Sequence, residues 1–267
     1  MAYLEVKNVS KSFARADGAA ASVLRNVDLA VEQAEFACIV GRSGSGKTTL
    51  ISLIAGLLEP DGGEIFLEGK AIRGAGPERG LVSQNYSLLP WMSVLENIYL
   101  AVDAVAGGLS AAEKRDRALH YVELVNLKDA ARKKPRELSG GMRQRVAVAR
   151  GLALEPKVLL LDEPFSALDA LTRATLQEEL ARIWLETRKS VVMITNDIDE
   201  AILLADAIYP LSSGPGATLG PPIRVNLPRP RDRRRLGRES AVLNLRGDML
   251  VALSKTSGKS AVDGGTP

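Results

Sequence analysis

Residues 35–57 read EFACIVGRSGSGKTTLISLIAGL, and this stretch decides the fold. Its first six residues form a short apolar run that is typical of a buried strand. A glycine-rich turn follows, and residues 41–48 match the pattern G-x-x-x-x-G-K-[ST] in full. Apolar residues then recur with the spacing of one helix face, at Leu50, Leu53, Ile54 and Leu57. A strand, a glycine-rich turn and a helix in this order predict a phosphate-binding loop.

The residue types of this turn suit a phosphate group. Its glycines let the backbone bend so that several N–H groups point at one anion, and the helix directs its positive dipole end to the same place. Lys47 adds a mobile charge, and the hydroxyl of Thr48 can hold Mg²⁺. The predicted phosphate-binding residues are Gly41, Arg42, Ser43, Gly44, Ser45, Gly46, Lys47, Thr48 and Thr49.

Two acids follow a second apolar run, VLLLDE at residues 158–163. Asp162 is placed to bind Mg²⁺ through water, and Glu163 could polarise a water that attacks a phosphate. The same acids could instead lie at the N-terminus of a helix, where acidic residues are common. Taken alone, the motif leaves both interpretations open.

A third apolar run begins the stretch VVMITNDIDEA at residues 191–201. Asp197 and Glu200 have the spacing of a helix capping box, so we expect a strand that ends in a polar turn and a new helix. Asn196 then lies at the carboxyl end of that strand, where parallel α/β sheets bind their ligands. Asn196 is either a turn residue or part of a site.

The composition limits the kind of protein. Of 267 residues, 46% are hydrophobic and 25% are charged, the profile of a soluble globular chain. Aromatic residues make up 4%, which weakens a role in recognising single-stranded nucleic acid by base stacking. One cysteine, Cys38, and one histidine, His120, exclude an internal disulfide and a Cys/His metal cluster. The N-terminus lacks a signal peptide and no long apolar run occurs, so we expect a cytoplasmic protein.

The charge balance departs from the average near the C-terminus. Six arginines and one acid lie between Arg229 and Arg238. This run favours a solvated, partly disordered surface segment, with contact to a lipid headgroup or nucleic acid as the alternative. The last residues, 254–267, are also predicted to be disordered.

From Tyr86 to Arg150 the pattern is helical, with a capping box at Ser110 and Glu113.

The segment ELSGGMRQRVAVARGLA at residues 137–153 points to one family. Followed by the strand that ends in Asp162 and Glu163, it resembles the signature motif of ABC-transporter ATPases. Gln84 in VSQ is similar to the Q-loop of that family, SALD at residues 166–169 to its D-loop, and Phe13 to the aromatic residue that stacks on adenine. The resemblance extends over about residues 3–230.

The resemblance implies an α/β fold of the P-loop NTPase (RecA-like) class. Its parallel sheet core would carry the antiparallel β subdomain of ABC proteins and an inserted helical subdomain, in agreement with the buried strands that alternate with helices. The expected division is a nucleotide-binding core at 1–85 and 151–230, a helical subdomain at 86–150, and an Arg-rich, partly disordered tail at 231–267.

The resemblance also implies a mechanism, in which two ATPase subunits dimerise head to tail and each ATP lies between the phosphate loop of one and the signature of the other. Glu163, Asn196 and Gln84 would be catalytic, and Thr48, Gln84 and Asp162 would hold Mg²⁺. The implied signature residues are Leu138, Ser139, Gly140, Gly141 and Met142. The implied D-loop residues at the dimer contact are Ser166, Ala167, Leu168 and Asp169.

Two positions depart from the family pattern. Ala34 stands where most relatives have glycine, which we interpret as a tolerated change in a turn. Asn196 stands where the family usually has histidine, and we hypothesise that its amide contacts the γ-phosphate or the attacking water. The TND turn, together with GPGATLGP at residues 214–221, resembles the ATP-binding subunits of nitrate importers; bicarbonate and cyanate importers are near relatives, and sulfonate and taurine importers are more distant.

The expected function is therefore ATP hydrolysis that powers import of nitrate or a related anion, with ATP and Mg²⁺ as cofactors. Expected partners are transmembrane permease subunits, a second ATPase subunit and a periplasmic or lipid-anchored anion-binding protein, at the cytoplasmic face of the inner membrane. The apolar cluster at residues 88–92 is either a permease contact or the packed start of the helical subdomain. Competing interpretations are a non-hydrolysing regulatory subunit and a soluble ABC ATPase acting on nucleic acid, which a single phosphate loop disfavours.

Overall fold

The structure is a computed structural model that describes residues 2–14, 20–237 and 239–257. The chain forms two compact units, Met1–Ala75 with Val192–Pro267, and Gly76–Val191. In chain order, the elements of the first unit are β1 (Leu4–Ala14), β2 (Ala20–Val31), β3 (Phe36–Val40), α1 (Lys47–Ala55), β4 (Gly62–Leu67), β5 (Lys70–Ala71), then β8 (Ser190–Thr195), α6 (Ile198–Leu204), β9 (Ala207–Pro210), β10 (Ile223–Arg224), α7 (Arg233–Leu236) and α8 (Ser240–Ser257). The boundary between the units falls inside β8.

The second unit is mostly helical and contains one parallel strand pair. Its elements are β6 (Arg79–Val82), α2 (Val94–Val105), α3 (Ala111–Leu124), two 3-10 turns (Lys128–Ala130 and Pro135–Glu137), α4 (Gly140–Ala153), β7 (Val158–Asp162) and α5 (Ala170–Thr187). β6 and β7 run parallel, with Leu81 opposite Leu160. The predicted capping box of Ser110 and Glu113 begins α3, as expected.

The first unit contains the two sheet types that the resemblance implies. β2, β1, β4 and β5 form an antiparallel sheet in that order. β3 runs parallel to β9, and Cys38 lies opposite Ile208. Every residue of β3 and β8 is buried, which explains why these strands are continuous apolar runs and not alternating ones. The predicted fold class, a P-loop α/β core with an antiparallel β subdomain and helices, is confirmed. The predicted domain boundaries stay a prediction.

The apolar spacing that indicated helix α1 is confirmed for three of its four residues. Leu50, Leu53 and Ile54 are buried as expected, but Leu57 is 58% exposed. The helix ends at Ala55 because Gly56 takes a left-handed conformation with φ 74° and caps it. A Cβ on Gly56 would lie 2.0 Å from the carbonyl oxygen of Gly74, so this close approach admits only glycine.

The prediction of a solvated arginine run is wrong for its first two arginines. The guanidinium of Arg231 donates hydrogen bonds to the carbonyl oxygens of Ile202, Leu203 and Ala205 at the end of α6, and to those of Val225 and Leu227. Arg229 binds Asp206 and the carbonyl oxygen of Leu204. The C-terminal carbonyls of a helix lack intrahelical donors, and these two arginines supply them.

The predicted disorder of the tail is also wrong in part. Residues 240–257 form α8, whose Val242 and Met249 are buried and whose Arg246 pairs with Asp199 at 2.5 Å. The remaining part of that prediction, residues 258–267, lies outside the described residues. Within the described ranges, no helix combines the length and the apolar character that a membrane crossing requires.

Candidate functional site

The phosphate loop lies between β3 and α1, as the motif predicted, and the side chain of Lys47 binds back to the start of the loop. The ammonium of Lys47 donates to the carbonyl oxygens of Gly41 and Arg42, each at 3.0 Å, so the lysine spans the loop that precedes it. Lys47 is 4% exposed, whereas Arg42, Ser43, Gly44 and Thr48 are exposed. The loop therefore combines exposed residues with a buried positive charge.

Close contacts explain why two positions of the loop are glycines. Gly46 has φ 94°, and a Cβ on it would lie 2.8 Å from Cγ1 of Val23. A Cβ on Gly41 would lie 2.8 Å from Oγ of Ser45. That hydroxyl is buried and has no hydrogen-bond partner among the described residues. A buried polar atom without a partner is costly unless a ligand or water satisfies it. The loop therefore fits a bound phosphate group.

Phe13 lies at the end of β1 and is 41% exposed. It pairs with Ala21 of β2, and Val23 of the same strand contacts Gly46. The ammonium of Lys11 lies 5.6 Å from the centre of the Phe13 ring. β2 thus connects the proposed adenine-stacking residue to the phosphate loop within one unit.

Asn196 follows β8 directly, and its neighbours build the turn. The hydroxyl of Thr195 donates to Glu200 at 2.6 Å and accepts from the backbone N–H of Asp197 at 3.0 Å. The carboxylate of Asp197 caps α6 by accepting from the N–H groups of Asp199 and Glu200. Asp197 is confirmed as the predicted N-cap. The carboxylate of Glu200, the other residue of the predicted capping box, instead accepts a hydrogen bond from the Thr195 hydroxyl. Asn196 is exposed, and within the described part of the chain its side chain makes no hydrogen bond.

In the second unit, Asp162 is the last residue of β7 and is 8% exposed. Glu163 follows in the left-handed region, with φ 44°. This conformation is uncommon for a residue that is neither glycine nor asparagine, and such residues often occur at functional sites. The helix that follows begins seven residues later, at Ala170, and its N-cap is Asp169. Asp162 and Glu163 therefore do not lie at the start of a helix, which was their alternative interpretation.

The three segments that resemble the Q-loop, the signature and the D-loop are in contact inside this unit. Gln84 Nε2 donates to Ser166 Oγ at 3.2 Å. Ser139 caps α4, with its hydroxyl accepting from the N–H of Met142, and the guanidinium of Arg143 donates to the carbonyl oxygen of Leu138. A Cβ on Gly140 would lie 3.2 Å from Leu168, so signature and D-loop are in contact. The structure thus brings together three motifs that are distant in the sequence, and Gln84 and Ser166 are 82 positions apart.

Sequence reasoning missed the residues that hold the segment after Gln84. Asn97 is fully buried and binds the N–H and the carbonyl oxygen of Leu89 and the carbonyl oxygens of Met92 and Ser93. Arg150 donates to the carbonyl oxygens of Tyr86 and Ser87, and burial lowers its pKa. The position of Asn97 on the apolar face of α2 was the signal that could have identified its role. Trp91, within this segment, is 65% exposed.

Comparisons with known proteins agree with these motifs. A family model described as ABC transporter matches residues 24–166. The bicarbonate transport ATP-binding protein CmpD of Synechocystis sp. is 48% identical over 245 residues, which cover 92% of this chain and 86% of that protein. The nitrate import ATP-binding protein NrtD of Synechococcus elongatus is 46% identical over 248 residues, which cover 93% of this chain and 90% of that protein.

One relative is much longer than this chain. The bicarbonate transport ATP-binding protein CmpC of Synechocystis sp. is 46% identical over 253 residues, and the match spans 95% of this chain but 38% of the relative. Among solved structures, a dimeric ATP-binding cassette in a post-hydrolysis state bound to ADP and Pi matches with a TM-score of 0.73 and 31% identity. That match covers 84% of this chain and 99% of the cassette.

Proposed function

The chain belongs to the ABC transporter family and is an ATPase of that family, and we propose that it powers the import of nitrate or bicarbonate. The ATPase part of the proposal is carried by the phosphate loop, where a buried lysine and an unsatisfied buried hydroxyl lie among exposed residues. The relatives named for bicarbonate transport and nitrate import support the choice of anion. The choice of anion rests on this likeness alone, because a shared fold does not determine which substrate is transported.

We assign roles to the residues from their chemistry. The loop residues 41–49 bind the phosphates of ATP, and Phe13 stacks on the adenine. Thr48, Gln84 and Asp162 offer a hydroxyl, an amide oxygen and a carboxylate, the oxygen donors that Mg²⁺ prefers. Bound Mg²⁺ would neutralise charge on the β- and γ-phosphates. Glu163 holds the attacking water as general base, and the Asn196 amide donates a hydrogen bond to the γ-phosphate or to that water.

The proposal includes two subunits and a membrane partner. The signature residues 138–142 bind the ATP held by a second ATPase subunit, and the D-loop residues 166–169 contact that subunit. The exposed Trp91 and its apolar neighbours Leu88, Leu89, Pro90 and Met92 contact a permease, since an exposed apolar cluster marks an interaction surface. The chain would then lie at the cytoplasmic face of the membrane, with an anion-binding protein on the other side.

Replacement of Glu163 tests the ATPase part of the proposal. In the transporter assembled with its permease, Glu163→Gln should lower kcat by at least a hundredfold and leave ATP affinity within about twofold, because the amide cannot accept the water proton. Glu178→Gln, an exposed acid on α5, is the matched control and should keep the wild-type rate. Substantial turnover in Glu163→Gln would refute its role as base. Absence of turnover in the wild type would instead support the regulatory alternative.

The anion is tested by uptake. Vesicles that carry the complete transporter should accumulate labelled nitrate or bicarbonate in an ATP-dependent manner, and the Glu163→Gln transporter should not. Accumulation of cyanate or a sulfonate in place of these anions would overturn the choice of substrate while leaving the ATPase assignment intact.

A further inference from the structure

The hydroxyl of Ser166 lies between the two proposed catalytic groups of the second unit. Ser166 Oγ donates to the carbonyl oxygen of Glu163 at 3.0 Å and accepts from Gln84 Nε2 at 3.2 Å. The backbone N–H of Ser166 donates to the same carbonyl oxygen at 3.2 Å. One side chain therefore joins Gln84 to the main chain of Glu163.

The chemical groups in this bridge determine which of them donates and which accepts each hydrogen bond. A carbonyl oxygen only accepts, so the single proton of the Ser166 hydroxyl points at Glu163. The oxygen of that hydroxyl is then an acceptor toward Gln84, and it can receive only the NH₂ side of the amide. The amide oxygen of Gln84 consequently faces away from Ser166. Without the bridge, the two ends of this exposed amide would exchange freely.

We propose that Ser166 is a positioning residue that fixes the orientation of the Gln84 amide, so that its oxygen can serve as the magnesium ligand assigned above, and that couples this amide to the main chain of Glu163. A divalent magnesium ion binds the oxygen of an amide and not its NH₂ group, so the orientation decides whether Gln84 can act as a ligand. The same hydroxyl stabilises the carbonyl of Glu163, whose backbone is left-handed with φ 44°. The inference rests on the proposed function, since it needs ATP hydrolysis with Gln84 and Glu163 in their assigned roles.

This role differs from a contact with the second subunit, which the D-loop resemblance implies for Ser166. A residue that acts only at the dimer contact would affect dimerisation and would act independently of Gln84. A positioning residue acts through Gln84, so its loss should have no further effect once Gln84 is gone. The turn itself does not depend on the hydroxyl, because the backbone N–H of Ser166 still binds the Glu163 carbonyl in a Ser166→Ala variant.

Two measurements test the proposal. The first is the kcat of the transporter assembled with its permease, which Ser166→Ala should lower about tenfold, the effect of one lost functional hydrogen bond. The second is the binding of Mn²⁺, a paramagnetic substitute for Mg²⁺, to the ATP complex of the non-hydrolysing Glu163→Gln chain, followed by electron paramagnetic resonance. Adding Ser166→Ala to that chain should weaken Mn²⁺ binding several-fold, and Ser166→Thr, which keeps the hydroxyl, should restore it.

The double variant with Gln84→Ala decides between positioning and partner contact. We expect Gln84→Ala and the combination of Gln84→Ala with Ser166→Ala to bind Mn²⁺ equally, within twofold. Additive losses, or unchanged Mn²⁺ binding in Ser166→Ala with weakened ATP-dependent dimerisation, would overturn the proposal. Failure of the proposed function is recognised separately, since the wild-type transporter would then show no turnover.

Discussion

The backbone N–H of Gly41 donates a hydrogen bond to the carbonyl oxygen of Thr195, with 3.3 Å between nitrogen and oxygen. Gly41 is the first residue of the phosphate loop, and Thr195 is the last residue of β8. This bond connects the loop to the end of β8, which Asn196 directly follows. Thr195, Asp197 and Glu200 complete the turn among themselves. The turn therefore does not require the side chain of Asn196, which leaves its amide available for a ligand.

Asn196 should affect catalysis far more than folding. In the assembled transporter, Asn196→Ala should lower kcat by about a hundredfold, the usual effect of losing one hydrogen-bond donor to a transition state, with no measurable change in thermal stability. Asn196→His should restore part of the rate and add a dependence on pH near 6 to 7, because histidine titrates there and asparagine does not. An unchanged rate in Asn196→Ala would mean that it is only a turn residue.

The features of the fold and the site that the sequence predicts well are formed by residues close together in the chain. β3, the phosphate loop and α1 follow one another within 20 residues, and glycines, Lys47 and an apolar period indicate them directly. The start of α6 at Asp197 is likewise visible as a cap. The role of Arg231 was missed because its five carbonyl partners come from residues 202–227, and backbone acceptors leave no trace in a side-chain pattern. The motif similarities of Gln84 and Ser166 identify their loops but not the hydrogen bond between them.

Arg231 should be important for stability. Arg231→Met removes the donors for the carbonyl oxygens at the end of α6, and we expect the free energy of unfolding to fall by about 3 kcal/mol. Burial lowers the pKa of Arg231 to about 10, so it keeps its charge at neutral pH and its hydrogen bonds are charge-assisted. Arg231→Lys should recover little, since one ammonium cannot reproduce the planar fork.

The control for this experiment is another arginine of the same run. Arg233 is exposed, and Arg233→Met should change the free energy of unfolding by less than about 0.5 kcal/mol. Urea unfolding of the three variants measures both effects. Equal losses for Arg231→Met and Arg233→Met would contradict the interpretation of Arg231 as the cap of α6.

Ala34 lies at a backbone position that favours glycine. Its φ is 58°, in the left-handed region where a Cβ is costly. Ala34→Gly should therefore raise the free energy of unfolding by about 0.5 to 1 kcal/mol, the relief of strain less the entropy that glycine adds to the unfolded chain. The same substitution inside a helix, Ala181→Gly in α5, should lower it by about 1 kcal/mol. If both substitutions destabilise the protein, the turn at Ala34 is not strained.

Tyr209 should make the protein less stable in alkali. Its hydroxyl donates to the carbonyl oxygen of Ala30 at 2.5 Å, and burial, followed by the negative charge of Glu35, raises the pKa of Tyr209 to about 12. The unfolded chain releases this proton near pH 10, whereas the folded chain holds it until about pH 12. The contribution of Tyr209 is therefore complete below pH 10 and is lost as the pH rises from 10 to 12.

A phenylalanine variant separates this effect from other alkaline changes, because it lacks the titrating group. At pH 8, Tyr209→Phe should be less stable than the wild type by about 1 kcal/mol, the value of the lost hydrogen bond. At pH 11, the wild type has lost about 1.4 kcal/mol that the variant cannot lose, so the difference should vanish or reverse. Urea unfolding at both pH values measures the two differences. A difference that is the same at pH 8 and pH 11 would show that the folded protein does not hold the phenol proton more tightly than the unfolded chain.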